Sequence, residues 1–473
     1  MKKIKVALIA TFRPIFQGDM KGVLKTSIEK LSSLSKELDF DFIPFESGME
    51  KIEDAQKVKK QLDKLRVDFI LLQNSSFADG SMLIPFLDPL DNKNNENTFL
   101  GIWAVPETSD YGPLPLNSIC ATNLYLSIPN RYIKDYNRPI KWFYGNAWDT
   151  DFVSRFKLTV KALKAIKKLR ESKILMIGDI APGFYNLKSD TEKIKKIFNL
   201  EIYKIELDEF YDEFYKIQRL NNLDNKVEEI ISQTNDVKIS KEALRKTAIA
   251  EEALQNLIVK YDAKAIGIQC WPNIPQKLGM MICSTVGRLI EKGIPTACEG
   301  DIMGALSMIV LESISGKKPI LMDLSSWDRK SDSVYAWHCG NVPKTWFNEK
   351  GFALENHFNR KEIGAVRNGY LNNYNVTIFR LFENDRSAFI AAGKIYNREK
   401  PRYKGVGGWM KDLQINGSSV SSYDFMNTIF VKHVQHHLAY INENIFEELK
   451  EFCSWMNIKE LETVKYKNYL QLS

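Results

Sequence analysis

Histidine is scarce in this chain of 473 residues: there are five, and all of them (His338, His357, His433, His436 and His437) lie in its last third. Metal or proton chemistry that uses an imidazole is therefore completed by the C-terminal part. Other features are missing altogether. No run of about 18 apolar residues occurs, which excludes a membrane-spanning helix. The six cysteines (Cys120, Cys270, Cys283, Cys298, Cys339, Cys453) form no CxxC pair and sit mostly in apolar surroundings. They read as reduced core thiols of a cytoplasmic protein. No GxGxxG follows a strand, and no GxxxxGK[ST], GxSxG or HExxH occurs. Those absences count against a dehydrogenase, a P-loop kinase, a serine hydrolase and a zinc protease. Charge of one sign is not in large excess either: 66 Lys+Arg against 59 Asp+Glu leaves +7. The excess is spread out and does not argue for nucleic acid.

What is present is ordinary globular composition, with 44% hydrophobic and 26% charged residues,. At roughly 150 residues per domain the length suggests about three domains. The start, MKKIKVALIATFRP, imitates a signal peptide, but the apolar run Val6–Ala10 is short and Arg13-Pro14 follow at once. A buried first strand fits it better. Leu24, Ile28, Leu31, Leu34 and Leu38 then recur at helical spacing. Strands at 41–44, 68–72 and 99–105 with a helix at 51–65 make an open parallel α/β region over residues 1–150. The pattern restarts over 151–345, with helices at 153–169, 242–259, 278–290 and 303–314. Its strands lie at 174–177, 265–269, 295–298 and 320–322. From 346 to 473 the texture is β-rich: runs at 376–382 and 388–395 flank Glu383-Asn384-Asp385 as a hairpin. Gly405–Gly408 reads as a flexible loop, and 446–455 as a closing helix. The expected class is thus α/β: two doubly wound parallel-sheet domains followed by a β-rich C-terminal domain.

Ligands of open α/β sheets bind beyond the carboxyl ends of the strands. Three strands end in suitable groups: Gln269, before Cys270-Trp271-Pro272; Glu299, within Cys298-Glu299-Gly300-Asp301; and Asp323. His338, in Trp337-His338-Cys339-Gly340-Asn341, follows, and the pair His436-His437 comes about a hundred residues later. Two carboxylates and one or two neutral imidazoles on loops suit a hard or borderline divalent ion such as Mn²⁺. An ion held this way keeps positions open for a substrate with vicinal oxygens. Each residue also has a plainer reading. Glu299 and Asp301 can cap the following helix, Asp323 can be a loop acid, and His338 a satisfied buried histidine. His436-His437 can lie on a strand, one facing in and one out.

The stretch from Gln269 to Asn341 resembles the L-fucose isomerase / L-arabinose isomerase superfamily. Cys298-Glu299-Gly300-Asp301 and Met322-Asp323-Leu324 match that family's two acids, and His436-His437 before the helix 446–455 matches its closing segment. The resemblance implies that Glu299, Asp323 and His437 are metal ligands, with His338 like the additional histidine of the arabinose branch. Phe12-Arg13-Pro14 and Gln269 resemble substrate-contacting positions of the fucose branch. It also implies a homo-oligomer, trimer or hexamer, with sites at subunit interfaces.

The reaction so implied moves a proton between C1 and C2 of a sugar through an ene-diol, turning an aldose into a ketose. It needs a base and acid, here Glu299 and Asp323, and a divalent cation (Mn²⁺, Co²⁺ or Mg²⁺) to hold developing charge on oxygen. Arg13, Gln269 and His436 would hydrogen-bond sugar hydroxyls, and Trp409, Trp103 or Trp271 would stack on the ring. The substrate is a pentose, a 6-deoxyhexose or a modified hexose. Two alternatives stand beside this one: a non-catalytic sugar sensor, and a metal-dependent epimerase or lyase on the same scaffold.

Overall fold

A computed structural model of the protein describes residues 3–87, 98–134, 136–220, 222–360, 362–396 and 403–471. The chain divides into two compact units: Met1–Lys167 with Ser454–Asn457, and Lys168–Cys453 with Ile458–Ser473. The fold class is mixed α/β, with two parallel sheets and one larger β-rich sheet. No helix of the described residues is long and apolar enough to cross a membrane.

The first unit is built on five parallel strands in the order β2-β1-β3-β4-β5. They are β1 (Lys5–Thr11), β2 (Asp41–Pro44), β3 (Phe69–Asn74), β4 (Phe99–Ala104) and β5 (Ile140–Tyr144). β1 and β3 are buried on both faces, as continuous apolar strands covered by helices must be,. The helix Met20–Glu37 starts where Asp19 accepts a hydrogen bond from the Gly22 N–H at 2.8 Å,.

In the second unit β6 (Lys173–Ile177), β7 (Glu201–Ile205), β9 (Ala265–Ile268) and β10 (Thr296–Ala297) form a parallel sheet in the order β10-β9-β6-β7. The other strands belong to one large sheet. They are β8 (Asp236–Val237), β11 (Ile320–Asp328), β12 (Ser333–His338), β13 (Phe347–Glu355), β14 (Val366–Leu371), β15 (Tyr374–Phe382) and β16 (Ser387–Tyr396). β17 (Val406–Ile415), β18 (Ser418–Ser419), β19 (Leu438–Ile441) and β20 (Lys459–Glu460) complete it. Six of these pair around a closed ring, β16-β15-β19-β11-β12-β17, because β17 also pairs with β16. Closure removes open edges and lets alternate residues fill the interior. Ile320, Met322, Ala336, Ile378, Ala391 and Met410 share that core.

The ring takes strands from both sides of residue 345, so the regions 151–345 and 346–473 meet in one unit. The Glu383–Asp385 hairpin forms as the alternation predicted, β15 against β16. The glycine-rich stretch 405–408 departs from the expected loop: residues 406–408 open β17. Glycine is there for close approach, since a Cβ on Gly407 would sit 2.6 Å from the Ala336 carbonyl oxygen,. Joining the parallel sheet to the ring is the helix Ile302–Ser315, apolar all round and buried almost throughout,.

Candidate active site

The site is assembled by register. In the ring Met322 pairs with Leu438 and Asp323 with Trp337. His437, one residue before β19, therefore lies beside Asp323, and His338 ends β12 at the same level. Glu299 arrives from the parallel sheet, on a turn that follows β10. Its φ of 62° is left-handed, as is that of Gly300 at 74°. A non-glycine residue there costs about 1–3 kcal/mol, and such strain gathers at functional sites. The turn is held by hydrogen bonds from Ala181 N–H to the Glu299 carbonyl (3.0 Å) and from Asp301 N–H to the Cys298 carbonyl (3.1 Å).

Two sets of ligand atoms come together, one from Glu299, His436 and His437 and one from Asp323, His338 and His437; within each set they lie inside 4.8 Å of one another. Glu299 Oε2 is 3.2 Å from His436 Nε2 and 3.5 Å from His437 Nε2; Asp323 Oδ1 is 3.7 Å from the latter. Behind the cluster stands Asp301, fully buried. Its carboxylate caps the helix 302–315 through Gly304 N–H (2.8 Å). It also takes both terminal nitrogens of buried Arg380, at 2.5 and 2.9 Å, and faces His437 Nδ1 at 3.1 Å. Burial works to raise the Asp301 pKa, but Arg380 and the His437 hydrogen bond outweigh it and hold the carboxyl well below the usual carboxylate range. A carboxylate on Nδ1 leaves the Nε2 lone pair of His437 aimed at Glu299 and Asp323, the way metal-binding imidazoles are oriented. His436 is placed differently: Asn186 meets its Nδ1 at 2.9 Å, and Gln435 joins the Asn186 carbonyl (2.8 Å) to Arg380 Nε (2.7 Å).

The donor set fits a divalent cation. Asp323 Oδ1 and His338 Nε2 are both buried and have no hydrogen-bond partner among the described residues. A buried polar atom left unpaired costs about 1–3 kcal/mol, which ligation would remove. Burial opposes charging of His338, yet the Cys339 sulfur and the carboxylates of Asp323 and Glu299 outweigh it and lift its pKa to about 10. The surroundings are negative enough to favour a positive charge among them.

No family model matches the sequence. The chain is 26% identical over 412 residues to the sulfoquinovose isomerase of Priestia aryabhattai, covering 86% of this chain and 88% of that protein. The sulfoquinovose isomerase of Alkalicoccus urumqiensis is 23% identical over 403 residues, 84% of this chain and 86% of that one. That of Clostridium sp. (strain MSTE9) is 24% identical over 330 residues, 68% and 70%. The likeness is to sugar isomerases, and it runs along most of both chains.

Of the residues singled out in the sequence, Glu299, Asp323, His338, His436 and His437 are thus brought together. Gln269 follows β9 with its amide engaged, accepting from Asp179 N–H (2.9 Å) and donating to Asn273 Oδ1 (3.0 Å). Arg13 belongs to the first unit, its guanidinium 5.6 Å from the Phe77 ring centre. Trp103 is buried in that unit too, stacked on Phe152 at 4.3 Å. Trp409 stands opposite Tyr335, three residues from the Val406–His338 pair, and its ring meets that of Tyr335 at a tilt, 5.1 Å between centres. Three residues along a strand is an odd number, so Trp409 points away from the side His338 faces. His357 is buried against Phe358, and His433 takes a left-handed turn after the helix Ser422–Val431. Asp301, read from sequence as a cap, does cap, and its larger part as the His437 partner depends on Arg380, 79 residues away. Arg380, Gln435 and Asn186 carried no signal in the sequence.

Gly300 gives a direct check on the turn. A Cβ there would lie 2.4 Å from the Asp179 carbonyl oxygen. Gly300→Ala is expected to lower stability by about 1–3 kcal/mol, read as a fall in Tm, and to cut turnover at least tenfold by displacing Glu299. Normal turnover would show that the turn does not set the Glu299 position.

Proposed function

We propose that the protein is an aldose–ketose isomerase, and that its substrate is sulfoquinovose, a hexose carrying a sulfonate. The observation that carries this reading is the meeting of Glu299, Asp323, His338 and His437, with two buried unpaired donor atoms among them. The length-wide likeness to sulfoquinovose isomerases supports the reaction and the sugar.

Glu299, Asp323, His437 and His338 would hold a divalent cation such as Mn²⁺. When bound, it supplies Lewis-acid stabilisation of the charge that develops on the C1 and C2 oxygens. The rest falls to the side chains. One carboxylate takes the proton from C2 and returns it at C1, while the other gives a proton to O1 and takes the one on O2; the ene-diol is the species between. Glu299 and Asp323 both approach His437 Nε2, at 3.5 and 3.7 Å, so the two roles need no rearrangement of the backbone,. His436, a third exposed and held by Asn186, offers its ring to a substrate hydroxyl. Arg13 and Gln269 would serve other hydroxyls. The protein works as a cytoplasmic homo-oligomer, a trimer or hexamer, in which Arg13 reaches the site of another subunit.

The test is proton NMR of sulfoquinovose turnover in D₂O with Mn²⁺. Deuterium at C1 or C2 of an intact carbon skeleton, in a ketose product, is the expected result. EDTA should abolish turnover and lower the Tm, with metal restoring both; saturation at 100 times the Kd is worth about 2.7 kcal/mol. Turnover indifferent to EDTA would remove the cation from the reading. Absence of isomerisation across plain and anionic aldoses would remove the function.

A further inference from the structure

We propose that Arg360, laid over Trp271, binds the sulfonate of the substrate. This rests on the isomerase reading and names a group that decides which sugar it accepts. The segment 356–360 folds over the strand end that carries His338. Phe358 meets Trp337 edge-on at 5.3 Å, and the Arg360 N–H donates to the His357 carbonyl at 2.9 Å. Ile363 and Cys339 pack together on Met281, Cys283 and Val366. The loop is therefore anchored to the residue that follows His338.

From that loop the Arg360 guanidinium reaches 3.6 Å from the centre of the Trp271 ring. Trp271 comes just after Gln269-Cys270, at the carboxyl end of β9. Cys270 in turn lies against Cys298, the residue before Glu299. Arg360 thus stands between the element that carries His338 and the one that carries Glu299, on the side of the parallel sheet where ligands collect.

The chemistry of the contact points to an anion. A guanidinium stacked through its face keeps its N–H donors free in the plane, in the fork that matches oxyanions. Among the described residues no carboxylate pairs with Arg360 and none accepts from its side chain. The three fully buried arginines among the described residues, Arg288, Arg367 and Arg380, differ. Arg380 is taken up by Asp301, and Arg288 by Glu251 and Glu229. Arg367 has no carboxylate, but it is fully buried against Phe352 and donates to the Val342 carbonyl at 2.9 Å, with no way for a ligand to reach it. Arg360 is half-buried and lies over an aromatic ring.

The experiment compares two sugars that differ in the sulfonate alone, sulfoquinovose and quinovose, with wild type, Arg360→Gln and Arg360→Lys. The ratio of their kcat/KM values, sulfonated over plain, should fall about 100-fold in Arg360→Gln, as expected for losing one partner of a desolvated charge pair. The fall should be carried mainly by KM, and Arg360→Lys should recover part of it. An unchanged ratio, even with both activities lowered, would show that Arg360 is structural and overturn the proposal. If wild type turns over neither sugar, the isomerase reading falls by itself. Calorimetric binding of sulfoquinovose then decides the subsite: weaker binding by Arg360→Gln supports it, and equal affinity overturns it.

Discussion

Glu299→Gln is expected to reduce isomerisation by at least about 10³-fold while the protein stays folded, with Asp323→Asn close behind. A positioned acid or base contributes about 10²–10⁴-fold by itself, and each of these residues is also expected to share in holding the cation. Both substitutions keep the shape of the side chain and remove its charge, so the left-handed turn at Glu299 and the strand at Asp323 persist. Circular dichroism and Tm should therefore change little, and loss of deuterium exchange at C2 is the sharp readout. Near-normal turnover of either variant with saturating Mn²⁺ would mean that the proton moves by another route. The two should not be additive in a double variant, because residues acting as one unit lose most of their effect together.

Arg380→Met is expected to be the most destabilising single change of those considered, by about 3–5 kcal/mol. Removing one partner of a buried ion pair leaves the other charge uncompensated. Asp301 and Arg380 are both 0% exposed at their side chains, and Arg380 supplies two of the hydrogen bonds on that carboxylate. Urea unfolding should show the loss as a lower midpoint. Pairing the change with Asp301→Asn should restore part of the stability, because the stranded charge is then gone, but not the activity, since His437 loses the carboxylate on Nδ1. If Arg380→Met unfolds at the wild-type midpoint, Asp301 is neutral in the folded protein and the orientation of His437 has another cause.

The Cys298–Asp301 turn shows how far local sequence reaches. An acid before an apolar helix is a cap by composition, and Asp301 caps. That Glu299, two residues earlier, projects toward two histidines instead of capping follows from its left-handed backbone and from Gly300, which lets the Asp179 backbone approach. Neither fact is written in four letters of sequence. The same holds for the glycines at 405–408, which read as flexibility and act as space for Ala336 and Ile395 in a closed ring.

By itself the sequence determined the elements whose signal is local. It marked helices at 153–169, 242–259, 303–314 and 446–455, which form as Thr150–Arg170, Lys241–Tyr261, Ile302–Ser315 and Phe446–Trp455, the hairpin of β15 and β16, and the apolar parallel strands, because period and burial are properties of a few consecutive residues,. With only five histidines, it also narrowed the imidazole ligands to a short list. The tertiary structure alone decided the rest. Closure of the ring through β16 and β17 sets which strand ends share a level, and so joins Asp323, His338 and His437. It also turned Trp409 away from the side His338 faces, paired Arg380 with Asp301, and laid Arg360 over Trp271. Each of these depends on contacts between residues tens to hundreds of positions apart, and a periodic pattern carries no record of which distant partner a side chain will meet.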